Sequence, residues 1–323
     1  MAKPKHNDQP SIDGFVNLYK PPGITSMDAL RRVKRIAGQR HKVGHGGTMD
    51  PLARGILPVC FGQATRLMDH VVAGRKRYLV EITLGVATTT YDAEGQTTST
   101  GDVTGLTSEM VEMALQSFIG LIQQTPPMYS AIKIQGQRLY KLARAGIEVE
   151  RETRPVEIFS IRVVDFSPPS LVLDVESGRG AYIRSLAHDL GATLGCGGHV
   201  ADLVRLSSGG FHADESVTLE DLEEAAAQPG GWLHYLHPID WVLRDLKSVT
   251  VGRQAEQYLR HGQSVSLGGT GVDAGYLEPF RAYNSDGQFL ALVRFDRAAN
   301  AWRPVKVFQV DSPSPYAPVA PQA

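Results

Sequence analysis

The stretch "RYLVEITLGVAT" at 77–88 has the apolar density and alternation of a strand with one buried face, and "DAEG" at 92–95 reads as the turn that follows it. "VEIFSIRVVDF" at 156–166 and "SLVLDVESG" at 170–178 are further strand candidates. Helical spacing appears in "GITSMDALRRVKRIAGQ", where Met27, Leu30, Val33 and Ala37 form a stripe; Thr25 is placed as N-cap, Asp28 as its capping-box partner and Gly38 as the stop. A second helix runs through "TSEMVEMALQSFIG", with Val111, Leu115, Phe118 and Ile119 inward and Gly120 at its end. "AYIRSLAHDLGATLG" reads as a strand end passing into a helix. Strands and helices mix without a regular βαβ repeat, which predicts an α+β fold.

The pattern changes near "AAAQPGGWLHYLHP". Beyond about residue 246 only short strand-like pieces remain, "KSVTVG", "SVSLGG", "FLALVRF" and "RPVKVF", so a small β-rich domain is expected over 246–311 behind a larger one over 11–245. Two domains suit 323 residues, more than one hydrophobic core usually serves. Residues 1–10 and the proline-rich 312–323 have too little apolar mass to pack and are expected to be disordered tails.

Composition, 42% hydrophobic and 21% charged, is that of an ordinary soluble protein. The polar start "MAKPKHNDQP" has no apolar signal core, and no run is long enough to span a bilayer, so a soluble, cytoplasmic protein is expected. Cys60 and Cys196 are too far apart for a CxxC pair or a zinc knuckle and are read as small buried residues. The formal net charge of −1 does not announce a nucleic-acid binder, but its distribution is uneven. "RRVKRIAGQRHK" at 31–42 and "GRKRY" at 74–78 hold no acid, and such runs are either solvated faces or phosphate grips.

Several chemistries lack their motifs: there is no GxxxxGK[ST] loop, no GxGxxG between a strand and a helix, no HExxH and no GxSxG elbow. What the chain does carry is "KVGHGGTMDPLARGILPV" at 42–59. Asp50 precedes a proline and is therefore pushed out of helical backbone, while Gly44, Gly46 and Gly47 free the chain before it. The plain reading is a turn-capping aspartate. The chemical reading is a carboxylate held out on a rigid loop, kept ionised by a guanidinium that lowers its pKa, for which Arg184 in "RGAYIRS" is the candidate.

"GHGGTMDPLARGILPVCFGQATR" resembles the catalytic motif of the bacterial TruB family, the tRNA pseudouridine-55 synthases, which runs approximately GHTGTLDPxAxGxLxxxxGxATK. "LYKPPGITS" is similar to that family's DKPxGxTS. "FIGLIQQTPPMYSAIKIQGQRLYKLARAGIEVERETRPVEI" and "GRGAYIRSLAHDLGATLGCGGHVADLVRLSSGGF" match two further blocks, so the likeness runs through residues 12–245 in order. Gly46, Met49 and Tyr19 depart from the family pattern without removing a charge the chemistry uses.

The resemblance implies a pseudouridine-synthase-like mixed sheet with flanking helices, followed by a PUA-like RNA-binding domain that meets tRNA near its acceptor end. It implies Asp50 as the essential nucleophile or base, Tyr78 stacked on the target base and assisting loss of the C5 proton, and Arg184 as the partner of Asp50. Tyr182, placed two residues before Arg184 on one side of an extended strand, would wall the pocket. Leu203 would lie under the flipped base, and His45 where the base leaves its stack. Lys20 would either touch RNA or support the catalytic loop through backbone contacts. Uracil detaches at N1 and rejoins through C5 with no net redox change, so no cofactor and no metal are expected. The partner implied is tRNA, gripped at its T-arm and elbow with the target base flipped out, by a monomer with no obligate protein partner. A subunit directed by a guide RNA and a non-catalytic tRNA chaperone are the alternatives; the long "TTTYDAEGQTTSTGDVTG" segment looks bacterial and speaks against the first, and joint retention of Asp50, Tyr78 and Arg184 against the second.

Overall fold

A computed structural model describes residues 12–38, 42–130, 132–134, 136–229, 231–267, 274–275 and 277–318. The chain folds into two compact units: Val16–Val59 with Val71–Tyr235, and Met1–Phe15 with Cys60–His70 and Leu236–Ala323. No described helix is long and apolar enough to cross a membrane.

The larger unit is organised on a mixed sheet whose main strands run in the order Gly14–Lys20, Arg54–Phe61, Gly198–Ser208, Lys76–Leu84, Ser170–Ser177, Arg154–Ser167 and Gly120–Gln124. Arg54–Phe61 and Gly198–Ser208 pair in parallel, and the pairs from Gly198–Ser208 onward are antiparallel. The alternation in 77–88 is carried by Val80, Ile82 and Leu84, all buried on one face, with Arg77 and Glu81 exposed on the other. The strand stops at Leu84, and a separate short strand, Val86–Thr88, forms a hairpin with Thr97–Thr100 around the expected turn. Leu171, Leu173 and Val175 continue the apolar face on the neighbouring strand.

Helix Ser26–Ile36 starts where expected, with the Thr25 hydroxyl accepting from the Asp28 N–H. Its buried face is Ser26, Ala29, Leu30 and Val33; Met27 is 46% exposed, so the stripe lies a little around the helix from the one the spacing predicts. Helix Ser108–Leu115 ends in a short 3-10 turn at 116–118, and Ile119 is exposed. Helix Ile183–Thr193 packs on the sheet at close range: a Cβ on Gly191 would stand 2.2 Å from the Gly198 nitrogen, so only glycine permits the approach. This helix corrects the strand reading of "AYIRS". Tyr182 is its N-cap and Arg184 sits in its first turn, so the two do not share a strand face.

The smaller unit holds a four-stranded sheet, Ser248–Val251, Pro279–Asn284, Phe289–Asp296 and Ala301–Val307 in that order, with helix Arg253–Arg260. Its core gathers Val251, Leu259, Phe280, Leu290, Val293 and Trp302, the indole lying 4.8 Å from the Phe280 ring. "SVSLGG" forms no strand among the described residues: Val265 makes one bridge to Trp302, and 268–273 lie outside the description. Residues 312–318 depart from the expected disorder because polar contacts fasten them: Ser314 donates to the buried Asp240 at 2.5 Å, and Arg281 donates to the Tyr316 carbonyl. The rest of that tail and residues 1–10 lie outside the described residues. Both cysteines are free and buried, as expected.

Candidate active site

Asp50 follows a loop that three elements hold in place. Ser26, the first residue of its helix, accepts from the Met49 N–H at 2.8 Å and donates to the Met49 carbonyl at 3.1 Å. On the other side, the Gly23 N–H donates to the Pro51 carbonyl at 2.8 Å. Lys20 is wholly buried and donates to the carbonyls of Pro21, Ile24 and Pro51 at 2.8, 2.8 and 3.3 Å. These are the backbone contacts that the second of its two expected roles calls for, and the side chain is wholly buried. Burial lowers its pKa from 10.5 to about 8, with the Asp50 charge opposing the shift. Of the three freeing glycines only Gly47 uses left-handed backbone, at φ 120°.

The guanidinium of Arg184 is buried and spans two carboxylates. One nitrogen donates to Asp50 Oδ1 at 2.7 Å and to the Tyr129 carbonyl at 2.8 Å; the other donates to Asp92 Oδ2 at 3.2 Å and to the Thr90 carbonyl at 3.0 Å. Arg184 pulls the pKa of Asp50 down, as expected, but the net shift runs the other way and corrects the expected lowering. Burial pushes the Asp50 carboxyl up, and the neighbouring charge of Asp92 adds to that push against the pull of Arg184. One cation shared between two carboxylates does not fully offset the desolvation of Asp50.

Asp92 is legible in the sequence only as a turn residue. It is 2% exposed, and its carboxylate also accepts from the Glu94 N–H and the Thr90 hydroxyl. Nothing in its spacing marks it; its partner is 92 positions away.

Tyr78 lies in the middle of the sheet with Arg205 and Val175 as cross-strand neighbours, on the face that carries Val80. Leu203 pairs with Val80 and is 5% exposed. Arg205, which sequence reasoning also missed, is buried and donates to the carbonyls of Ile56 at 2.6 Å and Gly47 at 3.2 Å. Its charge faces Tyr78 and Asp50, which support it against the cost of burial. His45 ends the short strand Val43–His45; burial and the Arg205 charge lower its pKa and favour the neutral ring.

Tyr182 is clamped at its backbone by one side chain: its N–H donates to Gln124 Oε1 at 2.7 Å, and Gln124 Nε2 donates back to its carbonyl at 2.9 Å. Ser185 donates to the Thr125 carbonyl at 2.7 Å. The Arg184 helix is thus tied to the end of the edge strand Gly120–Gln124. Burial raises the Tyr182 phenol pKa and keeps it protonated.

Much of the basic surface is already occupied. Arg31 pairs with Asp28, Arg32 with Glu220 and Glu223, Arg75 with Glu176, and Arg77 with Asp174, while Lys76 is buried on the carbonyls of Val72 and Gly74. Lys34, Arg35 and Lys42 are exposed; Arg40 and His41 lie outside the described residues.

Residues 34–183 match the family model described as "TruB family pseudouridylate synthase (N terminal domain)", and residues 184–260 match "tRNA pseudouridylate synthase B C-terminal domain". The tRNA pseudouridine synthase B of Dehalococcoides mccartyi strain 195 is 43% identical over 92% of this chain and 97% of its own. That of Dechloromonas aromatica is 48% identical over 79% and 84%. Among solved structures, a Cbf5-Nop10-Gar1 complex contains a chain that superposes with a TM-score of 0.69 at 25% identity, covering 95% of this chain and 87% of that one.

Proposed function

We propose, because this chain belongs to the TruB family of pseudouridylate synthases and isomerises a uridine of tRNA to pseudouridine, that Asp50 carries that reaction at the T-loop uridine, position 55. The observation that supports it is the pairing of Asp50 with the buried Arg184 on a loop fastened by Ser26, Gly23 and Lys20. A carboxylate so held meets a substrate without having to be ordered first, which is where positioning lowers a barrier.

The isomerisation breaks the N1–C1′ bond, turns the uracil and forms a C5–C1′ bond; the proton lost from C5 balances the one gained at N1. No oxidant or energy source enters. Asp50 acts in its ionised form as nucleophile or base, with Arg184 aligning it. Tyr78 stacks on the base and assists removal of the C5 proton, while Leu203, Tyr182 and His45 line the path of the flipped nucleotide. Lys20 acts through the loop. The base is extruded at a cost of a few kcal/mol, offset by contacts to phosphates.

The β-rich unit over 246–311 serves as a PUA-like RNA-binding domain that meets the tRNA near its acceptor end. The protein works in the cytoplasm as a monomer and without an obligate protein partner; the names of the bacterial relatives carry no second subunit. The test is chemical mapping of pseudouridine in an unmodified tRNA transcript after incubation with wild type or Asp50→Asn. Modification at position 55 by wild type alone is expected. Modification elsewhere, or equal modification by the variant, contradicts the reading.

A further inference from the structure

The mechanism leaves one aromatic contact beside the site unused. Tyr91 has φ 63°, in left-handed backbone that a bulky residue rarely adopts. Its ring lies on the imidazole of His188, with centroids 3.8 Å apart and planes 11° from parallel. The flanking residues hold one of the two guanidinium nitrogens of Arg184: the Thr90 carbonyl and the Asp92 carboxylate both accept from it. His188 stands one helical turn after Arg184 on helix Ile183–Thr193. Three consecutive turn residues, 90, 91 and 92, are therefore fastened to two residues on one helix, outer pair to Arg184 and middle residue to His188.

From this juxtaposition we infer that the Tyr91–His188 stack is a positioning device: it holds the Thr90–Asp92 turn in its strained conformation so that Arg184 is delivered to Asp50 in register. The inference rests on the reading of Asp50 as the reacting carboxylate. Both rings are only half-buried, so the contact contributes little to the core. Burial and the nearby charge of Arg151 lower the His188 pKa, so the imidazole lies neutral against the phenol. Backbone bonds anchor the turn at residue 91 and beyond: the Tyr91 N–H donates to the Thr88 carbonyl at 3.3 Å, the Val200 N–H donates to the Tyr91 carbonyl at 3.0 Å, and the Ala93 N–H donates to the Val200 carbonyl at 2.9 Å. Without the stack, a non-glycine residue at 91 has reason to leave the left-handed region, taking the acceptors of Arg184 with it.

The test compares Tyr91→Phe, Tyr91→Ala, Tyr91→Gly, His188→Ala and Asp50→Asn with wild type. It measures single-turnover rate at saturating enzyme, tRNA Kd and melting temperature. His188→Ala places the best helix former at a half-exposed helix position, which guards against loss of the fold. Expected are a wild-type rate for Tyr91→Phe and a fall of about tenfold to a hundredfold for Tyr91→Ala and His188→Ala with Kd changed less than about twofold. Tyr91→Gly should fall less than Tyr91→Ala, because glycine keeps the left-handed backbone without the ring. Alanine variants at wild-type rate, a loss confined to Kd, or equal losses for glycine and alanine overturn the inference while Asp50→Asn stays inactive. An active Asp50→Asn overturns both this inference and the reading it rests on.

Discussion

Arg184 bridges Asp50 and Asp92 with opposite ends of one guanidinium, at 2.7 and 3.2 Å, and with only 4% of its side chain exposed. A bridge of this kind needs a rigid two-ended donor, and a lysine ammonium cannot supply the span. Arg184→Lys should therefore lose about a hundredfold or more in single-turnover rate. Arg184→Ala should in addition lose about 3 kcal/mol of stability, because it leaves the buried Asp92 and the partly buried Asp50 without their shared guanidinium. Urea denaturation beside tRNA tritium-release kinetics separates the two effects.

The second carboxylate contributes to the ionisation of the first. Burial raises the pKa of Asp50, Arg184 opposes the rise and the charge of Asp92 adds to it. Activity that needs Asp50 ionised should thus fall away as pH drops through a value above the ordinary aspartate pKa of ~3.9. Replacing Asp92 by Asn removes one negative neighbour, so the Asp50 pKa drops and the acid limb moves to lower pH. A pH–rate profile under single-turnover conditions reads this directly; a limb that stays put or moves up would contradict the shared-cation account.

Lys20 holds the Asp50 loop through three carbonyls. Lys20→Met leaves them unpaired and should cost about 1–3 kcal/mol. A pH signature accompanies it. The folded-state pKa of about 8 lies below the unfolded 10.5, so the unfolded chain binds more protons between these values and the Lys20 contribution raises stability as pH climbs through that window. Lys76, also lowered to about 8, adds the same slope. Denaturation curves from pH 7 to 10.5 should show a smaller rise in Lys20→Met than in wild type.

At Gly191 a methyl group has nowhere to go, since the obstructing atoms are Gly197 and Gly198 backbone. Gly191→Ala must lift the Arg184 helix off its strand, with an expected loss of about 1–3 kcal/mol and a lower rate. Alanine ordinarily favours a helix over glycine. A variant as stable as wild type by urea denaturation would show that the close packing does not matter.

How far the sequence discloses this architecture depends on the range of the interactions. Strands 76–84, 154–167 and 170–177 and the Thr25 cap rest on local periodicity or adjacent groups, and they are readable directly. Strand Pro279–Asn284 escapes because "PFRAYN" opens on a proline and buries Arg281 and Asn284, which look like surface residues until their partners are known. Tyr182 is misread because an aromatic followed by an isoleucine looks like a strand end although Ile183 already opens the helix, and the Gln124 clamp that fixes the Tyr182 backbone comes from 58 positions away. The site divides the same way. Asp50 and Arg184 are named by family likeness, but Asp92 and Arg205 owe their roles to a buried cation and to cross-strand pairing that no spacing displays. The sign of the Asp50 shift could not be read either, since it depends first on how far the fold buries that carboxyl and then on the charges of Arg184 and Asp92 brought beside it.

The most direct test of the central claim is tritium release from a tRNA transcript labelled at uridine C5, with purified protein, EDTA present and no added cofactor, wild type beside Asp50→Asn. Release by wild type equal to one T-loop uridine per tRNA, and none by a folded Asp50→Asn that still binds tRNA, is the predicted result. Release by the variant at a wild-type rate would contradict the assignment of Asp50. A wild-type protein that binds the transcript and releases no label would contradict stand-alone catalysis.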